Sequence, residues 1–169
     1  TEARKLILDM VEPLEPVACF LSDAHGRRLH QTVKAPEDQP AFDRSAMDGY
    51  AVALQDTSDR YRIVGVVEPG EGEELKVGRG ECVRIFTGAR LPAGLSKVIP
   101  QEQASVEGDW MRPTKRSEST WVRHRGEDAQ AGDVLLKPGV LLGAGEVSML
   151  ASVGVVYPVV SQRPVIVHI

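Results

Sequence analysis

The 169-residue sequence is poor in cysteine and in aromatic residues, and it contains no long apolar run. Its two cysteines, Cys19 and Cys82, are too few for a disulfide scaffold and lie too far apart for a metal-binding spacing, which favours a reducing compartment. No apolar segment reaches the roughly 20 residues that a membrane-spanning helix needs. We therefore expect a cytoplasmic protein that does not enter the membrane.

The sequence also lacks an excess of positive charge. Its formal net charge is −4 and its pI is about 5.6, whereas a protein held to nucleic acid by phosphate attraction is usually basic. We therefore expect no nucleic-acid partner. A small anionic ligand stays possible, because such a site needs only local positive charge.

Several common signatures are absent as well. Neither the phosphate-binding G-x-x-x-x-G-K-[ST] loop nor a G-x-G-x-x-G turn opening a helix occurs, and no serine lies in a G-x-S-x-G elbow. The four histidines do not have H-x-x-x-H spacing, which argues against zinc. The usual nucleotide-binding, hydrolase and zinc-protein classes are therefore disfavoured.

What the sequence does contain is many turn residues, with 16 glycines and 11 prolines separating short apolar runs. The pattern predicts strands at residues 50–54, 61–67, 82–86 and 97–99, a hairpin within 103–122, and strands at 155–160 and 165–169. It predicts helices at 1–14 and 146–153, and a short one starting near Ser22. The middle of the chain is thus predicted to be mainly β.

Three polar stretches are candidates for a functional site. In "FDRSAMDGYAV", Asp48-Gly49 before an apolar run is typical of a hairpin turn, because glycine tolerates positive φ. Spacing alone favours that interpretation. The functional alternative is that the Asp48 carboxylate binds a metal ion or a polar ligand, with Ser45 as a neighbouring hydrogen-bond donor.

The other two stretches contain possible anion ligands. In "VRIFTGARLPAG", an apolar run ends at Thr87-Gly88, where a hydroxyl and backbone N–H groups can hold an anion. A plain glycine turn is the simpler interpretation. In "VRHRGEDAQAGD", Arg123 and Arg125 lie on one face of an extended segment and are suited to binding phosphate or carboxylate. A surface salt-bridge cluster explains them equally well.

Taken together and in this order, the three stretches resemble the N-terminal region of the MoeA family of molybdopterin molybdenumtransferases, to which gephyrin-type E domains are related. The segments that carry the resemblance are "APEDQPAFDRSAMDGYAV", "CVRIFTGARLPAGLSKVIPQE" and the run from "RGEDAQAGD" to the end of the chain. The S-A-M-D-G-Y-A segment is the most specific of them. The likeness spans nearly the whole sequence.

The resemblance implies an α+β fold, mostly β, with bifurcated and coiled β-sheets in two subdomains. One subdomain would comprise residues 1–38 plus 123–169, and the other, rich in β-strands, would be inserted at 39–122. In the family a molybdopterin-binding α/β domain follows, opening with S-T-G-D-E-L. This sequence stops where that motif would begin, so we expect it to be part of a longer protein.

The resemblance also implies a function. The intact protein would insert molybdenum from molybdate into adenylylated molybdopterin, with Mg²⁺, as a homodimer that works beside a molybdopterin adenylyltransferase-type partner. This fragment would form one wall of the site at the dimer interface and would be inactive alone. The implied catalytic residues are Asp48 and Thr87, with Asp48 as the metal ligand. The implied anion-binding residues are Ser45, Gly88, Arg123 and Arg125.

Two alternatives remain open at this point. The first is a dimerisation or partner-binding module without chemistry of its own, and the second is an unrelated β-rich ligand-binding domain. The sequence beyond Ile169 separates the first alternative from the enzyme, because a G-D-E motif there would indicate the missing catalytic domain.

Overall fold

The structure is a computed structural model that describes residues 2–12, 14–70, 75–115, 117–165 and 167. These residues form two compact units, one built from residues 1–36 and 131–169 and the other from residues 37–130. Within the described ranges, no helix is both long and apolar enough to cross a membrane.

Two helices and twelve strands are formed by the described residues, in agreement with the predicted fold class, which is α+β and mostly β. The helices are α1 (Glu2–Met10) and α2 (Ala144–Ser152). The strands are β1 (Val17–Ala18), β2 (Val33–Lys34), β3 (Arg44–Ser45), β4 (Gly49–Val52), β5 (Tyr61–Val67), β6 (Glu81–Ile85), β7 (Lys97–Pro100), β8 (Ala104–Glu107), β9 (Trp110–Pro113), β10 (Val122–Arg123), β11 (Val134–Leu136) and β12 (Val159–Val160).

The unit that contains both chain ends is held together by two small antiparallel pairs and by helix α2. Strand β1 pairs with β12, and β2 pairs with β11. The core between them consists of six buried apolar residues, Ala24, Leu29, Val33, Leu142, Leu150 and Val160. Burial of such side chains, at about 25 cal/mol per Å² of apolar surface, stabilises a unit in which the strands have only two or three residues each.

Some predictions for this unit need correction. Helix α2 begins two residues before the predicted segment, and of its predicted inward side chains Leu150 is fully buried, Val147 is partly buried and Ala151 is exposed. The short second helix is a single 3₁₀ turn, Leu21–Asp23. Only the last two residues of the predicted strand 155–160 form one. The predicted strand 165–169 lies largely outside the described residues.

The second unit is organised around a six-stranded mixed sheet in the order β7-β4-β6-β5-β9-β8. All its pairings are antiparallel except that of β5 with β6. Because side chains alternate along a strand, each central strand supplies both faces of the sheet. One face carries the core of Ala51, Val67, Val83, Ile85, Ala89, Leu91, Leu95 and Val98, and the other carries Tyr50, Val52, Tyr61, Cys82, Ile99 and Met111.

Burial on both faces explains why the apolar runs of β4, β6 and β7 are nearly continuous in the sequence. It also affects Cys82, whose side chain is fully buried in β6. Burial raises the pKa of this thiol to about 12, so it is not ionised at neutral pH. Cys82 therefore serves as a core residue.

The boundaries of this unit differ from those that the resemblance implies. Residues 37–38 and 123–130 belong to this unit, whereas the resemblance grouped them with the chain ends. Two contacts hold them there: the side chain of Arg125 pairs with Asp38 at 2.6 Å, and the backbone of Gln39 bonds with that of Ala129 at 2.8 Å. Such contacts between distant parts of the chain are not visible in a composition pattern.

Candidate functional site

The three polar stretches singled out from the sequence meet around strand β3. On one side β3 pairs with β10, so that Ser45 lies opposite Val122. On its other side lies the loop that follows β6: the Ser45 N–H donates to the Ala89 carbonyl at 2.9 Å, and the Gly88 N–H donates to the Ser45 carbonyl at 2.8 Å. Segments more than 40 residues apart thus become neighbours at one end of the sheet.

The stretch "FDRSAMDGYAV" is a turn between two strands, but the hairpin interpretation is wrong. Strand β3 pairs with β10, whereas β4 pairs with β6 and β7, so the two strands that flank the turn do not pair with each other. The reason for glycine at position 49 also differs from the expected one. A Cβ atom on Gly49 would lie 2.2 Å from the Ile99 carbonyl oxygen, so close packing of β4 on β7 requires glycine there.

Asp48 and Thr87, the two predicted catalytic residues, are in direct contact. The Thr87 backbone N–H donates to Asp48 Oδ1 at 2.8 Å, and the Thr87 hydroxyl donates to the same oxygen at 2.7 Å. The bond from the Thr87 backbone, followed by that from its hydroxyl, lowers the pKa of Asp48 below its usual value. Asp48 is therefore an ionised acceptor at neutral pH. Among the described residues, none donates a hydrogen bond to its second oxygen, Oδ2.

Arg84 is a neighbour of Asp48 that the sequence argument missed. Its guanidinium lies 5.1 Å from the ring centre of Tyr50 and 5.0 Å from that of Phe86. It donates to the Gly49 carbonyl at 3.2 Å and to Gln101 Oε1 at 2.6 Å. Its positive charge contributes to the lowered pKa of Asp48. An arginine inside the apolar run of a central strand was the available signal, since a charge there needs partners.

Two of the predicted anion ligands are used inside the protein. Ser45 is 1% exposed, and its hydroxyl donates to the Met47 carbonyl at 2.5 Å while accepting from the Met47 N–H. The Gly88 N–H is donated to the Ser45 carbonyl, and Gly88 has φ +87°, a conformation that favours glycine. Because their donors are occupied, neither residue fits the predicted role of donor to an anion. Both shape the turn that holds Asp48 and Thr87.

The two predicted arginines are bound to carboxylates of this chain. Arg123 Nη2 lies 2.6 Å from Asp128 Oδ1, and its Nε donates to Glu127. Arg125 Nε lies 2.6 Å from Asp38 Oδ2. The bond from Glu127 and the charge of Asp128 raise the pKa of Arg123. In this structure the arginines form the surface salt-bridge cluster, which was the alternative interpretation of the sequence.

The acidic residues of the first stretch tie the arginine segment to the turn. Asp43 accepts a hydrogen bond from the Arg125 backbone N–H at 2.8 Å, and its other oxygen lies 3.5 Å from His124 Nδ1. The Glu127 carboxylate accepts from the His124 backbone N–H at 2.8 Å, which, together with Arg123, lowers the pKa of Glu127. Asp43 in the first stretch and Asp38 just before it thus bind residues of the third stretch, a role that the sequence did not assign to them.

The described residues do not by themselves form a magnesium site. No group of three or more His, Cys, Asp or Glu side chains among them is arranged to hold a metal ion. Magnesium is often bound through one or two carboxylates together with substrate phosphates, so Asp48 Oδ2 suffices for one ligand at most. The predicted metal role of Asp48 stays a prediction, and no chemical step is derived through a metal.

The described residues have the α+β, mostly β fold that the resemblance implies, and the S-A-M-D-G, T-G-A and R-G-E-D segments lie around one short strand, β3. The model of the family "MoeA N-terminal region (domain I and II)" matches residues 1–154. The chain therefore belongs to the MoeA N-terminal region family.

Individual relatives agree with this assignment. The chain is 31% identical to molybdopterin molybdenumtransferase 2 of Mycobacterium tuberculosis over 98% of its own length and 43% of that protein. It is 35% identical to molybdopterin molybdenumtransferase of Bacillus subtilis over 86% of its length and 37% of that protein. The crystal structure of the molybdopterin biosynthesis MoeA protein from Pyrococcus horikoshii superposes with a TM-score of 0.86 at 31% identity, covering 96% of this chain and 45% of that one. The chain spans less than half the length of these relatives.

Proposed function

We propose that this chain is the N-terminal region of a molybdenum cofactor biosynthesis enzyme, which inserts molybdenum from molybdate into adenylylated molybdopterin and releases AMP. The relatives named above support the enzyme class. The observation that carries the proposal within this chain is the Asp48–Thr87 pair, in which one carboxylate oxygen is fixed and the other has no hydrogen-bond donor among the described residues.

The geometry divides the proposed roles of the two residues. With its lowered pKa, Asp48 is an acceptor at neutral pH, so it orients a hydrogen-bond donor of the substrate, or a water molecule, and does not supply a proton. Thr87 acts through Asp48, because its hydroxyl hydrogen and its N–H are both donated to Oδ1. Asp48 is therefore the proposed catalytic residue and Thr87 a positioning residue.

The arginines differ in whether they are available to bind an anionic substrate. The charge of Arg84 acts on Asp48, and the two hydrogen bonds of Arg84 leave three of its five N–H groups for an anionic substrate. Arg123 and Arg125 are neutralised by carboxylates in this structure. For either of them to bind molybdate or phosphate, its ion pair would have to open.

The remaining parts of the function concern the intact protein. We propose that it is a cytoplasmic homodimer, that it receives adenylylated molybdopterin from an adenylyltransferase-type partner, and that Mg²⁺ enters with the substrate phosphates. In this proposal the present chain supplies one wall of the site at the dimer interface and is inactive alone. The support is the family membership and the coverage of less than half of each relative.

The decisive experiment is the substitution Asp48→Asn in the intact protein, with Asp109→Asn as a matched control on the exposed β8–β9 turn. Cofactor synthesis is measured by reconstitution of a molybdenum-free molybdoenzyme. We expect Asp48→Asn to lower the rate roughly 100-fold or more, the usual range for a lost acid–base or orienting group. The control should match wild type, and circular dichroism should show that both variants fold.

One observation favours a second candidate function. Helix α1 has no buried residue, and its apolar side chains, including Leu6, Ile7 and Met10, are all more than half exposed. A large exposed apolar surface is typical of an assembly contact, as expected for a dimerisation or partner-binding module. Undiminished cofactor synthesis by Asp48→Asn would leave this module as the better account of the chain.

A further inference from the structure

A second polar surface lies on the sheet far from Asp48. Its residues alternate along three adjacent strands and share one face: Arg60 just before β5, Arg62 in β5, Trp110 and Arg112 in β9, and Ser105 and Glu107 in β8. We call this surface the Trp110 face. In β9, Met111 lies between Trp110 and Arg112, so its side chain points to the opposite side of the sheet, where it is completely buried.

The Trp110 face contains an open cavity of about 300 Å³, lined by Arg60, Ser105, Glu107, Trp110, Met111 and Arg112. Its volume is at the lower end of the range found for small-molecule sites, roughly 300–1,000 Å³. Trp110 is 40% exposed, and the guanidinium carbon of Arg60 lies 4.4 Å from the centre of its ring. The cavity thus combines an accessible aromatic surface with fixed positive charge.

Two arginines of this face, Arg60 and Arg112, lie opposite each other on neighbouring segments. Tyr61 pairs with Met111 and Arg62 with Trp110, and one further step in this register places Arg60 opposite Arg112. Like charges directly opposite each other destabilise a pair of strands. Among the described residues neither arginine forms an ion pair within 4.0 Å. In a chain of net charge −4, such a pair is conspicuous.

Two carboxylates also belong to these surroundings. Glu107 lies opposite Trp110 and lines the cavity, and Glu81 lies opposite Arg62 on the neighbouring strand β6. Glu107 would repel a bare anion, but it accepts a hydrogen bond from a ligand N–H or O–H group. The cavity therefore favours a ligand that carries a negative group at one end and a donor at the other over a simple inorganic ion.

We propose that the Trp110 face is a binding site for a small anion with a planar ring, of the size and chemistry of a nucleoside monophosphate. The guanidinium groups of Arg60 and Arg112 bind the anionic group, the ring packs against the Trp110 indole, and Glu107 accepts from a donor on the ring. Arginine is suited to phosphate and carboxylate, and every such ring has a face that stacks on tryptophan.

This site is separate from the proposed catalytic wall. In the parallel pair of β5 and β6, Arg62 lies opposite Glu81 at the start of β6, whereas Thr87 follows the end of that strand. At about 3.3 Å per residue, the two places are roughly 15–20 Å apart along the sheet. The inference therefore does not depend on the function proposed for Asp48.

The test uses this chain and its two tryptophans, whose indole N–H signals are separated by nuclear magnetic resonance and assigned with Trp110→Phe. Adenosine 5′-monophosphate is the probe, and adenosine, ribose 5-phosphate and inorganic phosphate are titrated for comparison. We expect a saturable shift of the Trp110 signal with the monophosphate. The other three compounds should bind with an affinity at least about tenfold lower, because each lacks either the ring or the anionic group.

Variants decide whether the cavity is responsible. Arg60→Met and Arg112→Met should each weaken binding of the monophosphate about tenfold or more. The matched control is Arg90→Met, since Arg90 also stacks on an aromatic ring, 4.3 Å from the centre of Phe42, outside this cavity. The proposal is overturned if the Trp110 signal does not shift, if inorganic phosphate binds as well as the monophosphate, or if Arg90→Met weakens binding as much as the other two variants.

Discussion

The Asp48–Thr87 turn and the arginine segment of residues 123–128 both place charged side chains beside strand β3, but they use their charges in opposite ways. At the turn, one carboxylate oxygen is fixed by two bonds from Thr87 and the other has no donor among the described residues. In the arginine segment, both guanidinium groups are bound to carboxylates of the same chain. The first arrangement is open to a ligand and the second is internally neutralised.

This difference shows that a charged motif in the sequence does not by itself indicate which of its side chains can bind a ligand. Each stretch contains residues that suit anion or metal binding, yet the contacts made in the folded chain, local for Arg123 and distant for Arg125, decide which groups stay available. Asp38, Asp43, Glu127 and Asp128 together surround the arginine segment with negative charge. Exposed ion pairs of this kind contribute about 0–1 kcal/mol each, so their main effect is on availability of the arginines, with little effect on stability.

The largest expected effect comes from breaking the packing on which the turn depends. Gly49→Ala should lower the free energy of unfolding by about 3 kcal/mol, because the new Cβ would overlap the Ile99 carbonyl. Chemical denaturation measures this loss. Gly145→Ala is the control: it lies in α2 with no atom within 4 Å of the new Cβ, and alanine there should stabilise by up to about 1 kcal/mol.

If Gly49→Ala unfolds at the same denaturant concentration as wild type, β4 and β7 separate without cost. That result would show that close packing of β4 on β7 does not require glycine at position 49. The turn would then be no more rigid than the surface ion pairs of the arginine segment.

A smaller effect is expected from changing the partner of Asp48. Thr87→Val removes the hydroxyl bond and keeps the N–H bond, so the pKa of Asp48 should rise but stay below its usual value of 3.8. Because the folded pKa is the lower one, the stabilisation is present above pH 3.8 and is lost as the pH falls through the folded pKa. Thr87→Val should reduce this loss, as followed by thermal unfolding between neutral and acidic pH.

Carbon-detected magnetic resonance of the Asp48 carboxyl group gives the titration directly, and Thr87→Ser should restore the wild-type curve. An unchanged pKa in Thr87→Val would mean that the hydroxyl does not bond to Asp48 in solution.

The smallest effect is expected when Arg123 in the arginine segment is freed from its carboxylate partners, as Asp48 Oδ2 at the turn is free of donors from the described part of the chain. The double substitution Glu127→Gln with Asp128→Asn removes both carboxylates from Arg123, which stays charged because an arginine guanidinium is not deprotonated in proteins. We expect tighter binding of inorganic phosphate at Arg123, seen as a saturable shift of its Nε–H resonance, and little change in the unfolding midpoint. Asp109→Asn with Glu118→Gln removes the same two charges elsewhere and should not produce that shift.

Parts of the fold follow from the sequence alone. The apolar run of residues 61–67 predicts β5 with its observed bounds, and the runs around 82–86 and 97–99 predict β6 and β7 to within one residue at either end. The segment around Gly108-Asp109 forms the predicted hairpin of β8 and β9. Strands β6 and β7 were predictable because most of their residues are buried, which makes their sequences largely apolar.

The pairing of the strands was not predictable in this way. Strand β3 has only two residues, and its partner β10 lies almost 80 residues further along the chain. Such short strands carry too few side chains for an alternation pattern, and a long loop between partners leaves no local signal. The wrong prediction of a hairpin at Asp48-Gly49 has the same cause. Residue spacing indicates a turn, but it does not show with which strands the flanking segments pair.

By itself the sequence determined the positions of the longer strands, because they follow from local hydrophobicity, and its motifs supplied candidates for the site residues. Only the tertiary structure decided which of those residues remain open to a ligand. The bonds of Asp48 to Thr87 and of Arg125 to Asp38 join residues 39 and 87 positions apart, and they form only when the folded backbone brings their donors and acceptors within about 3 Å.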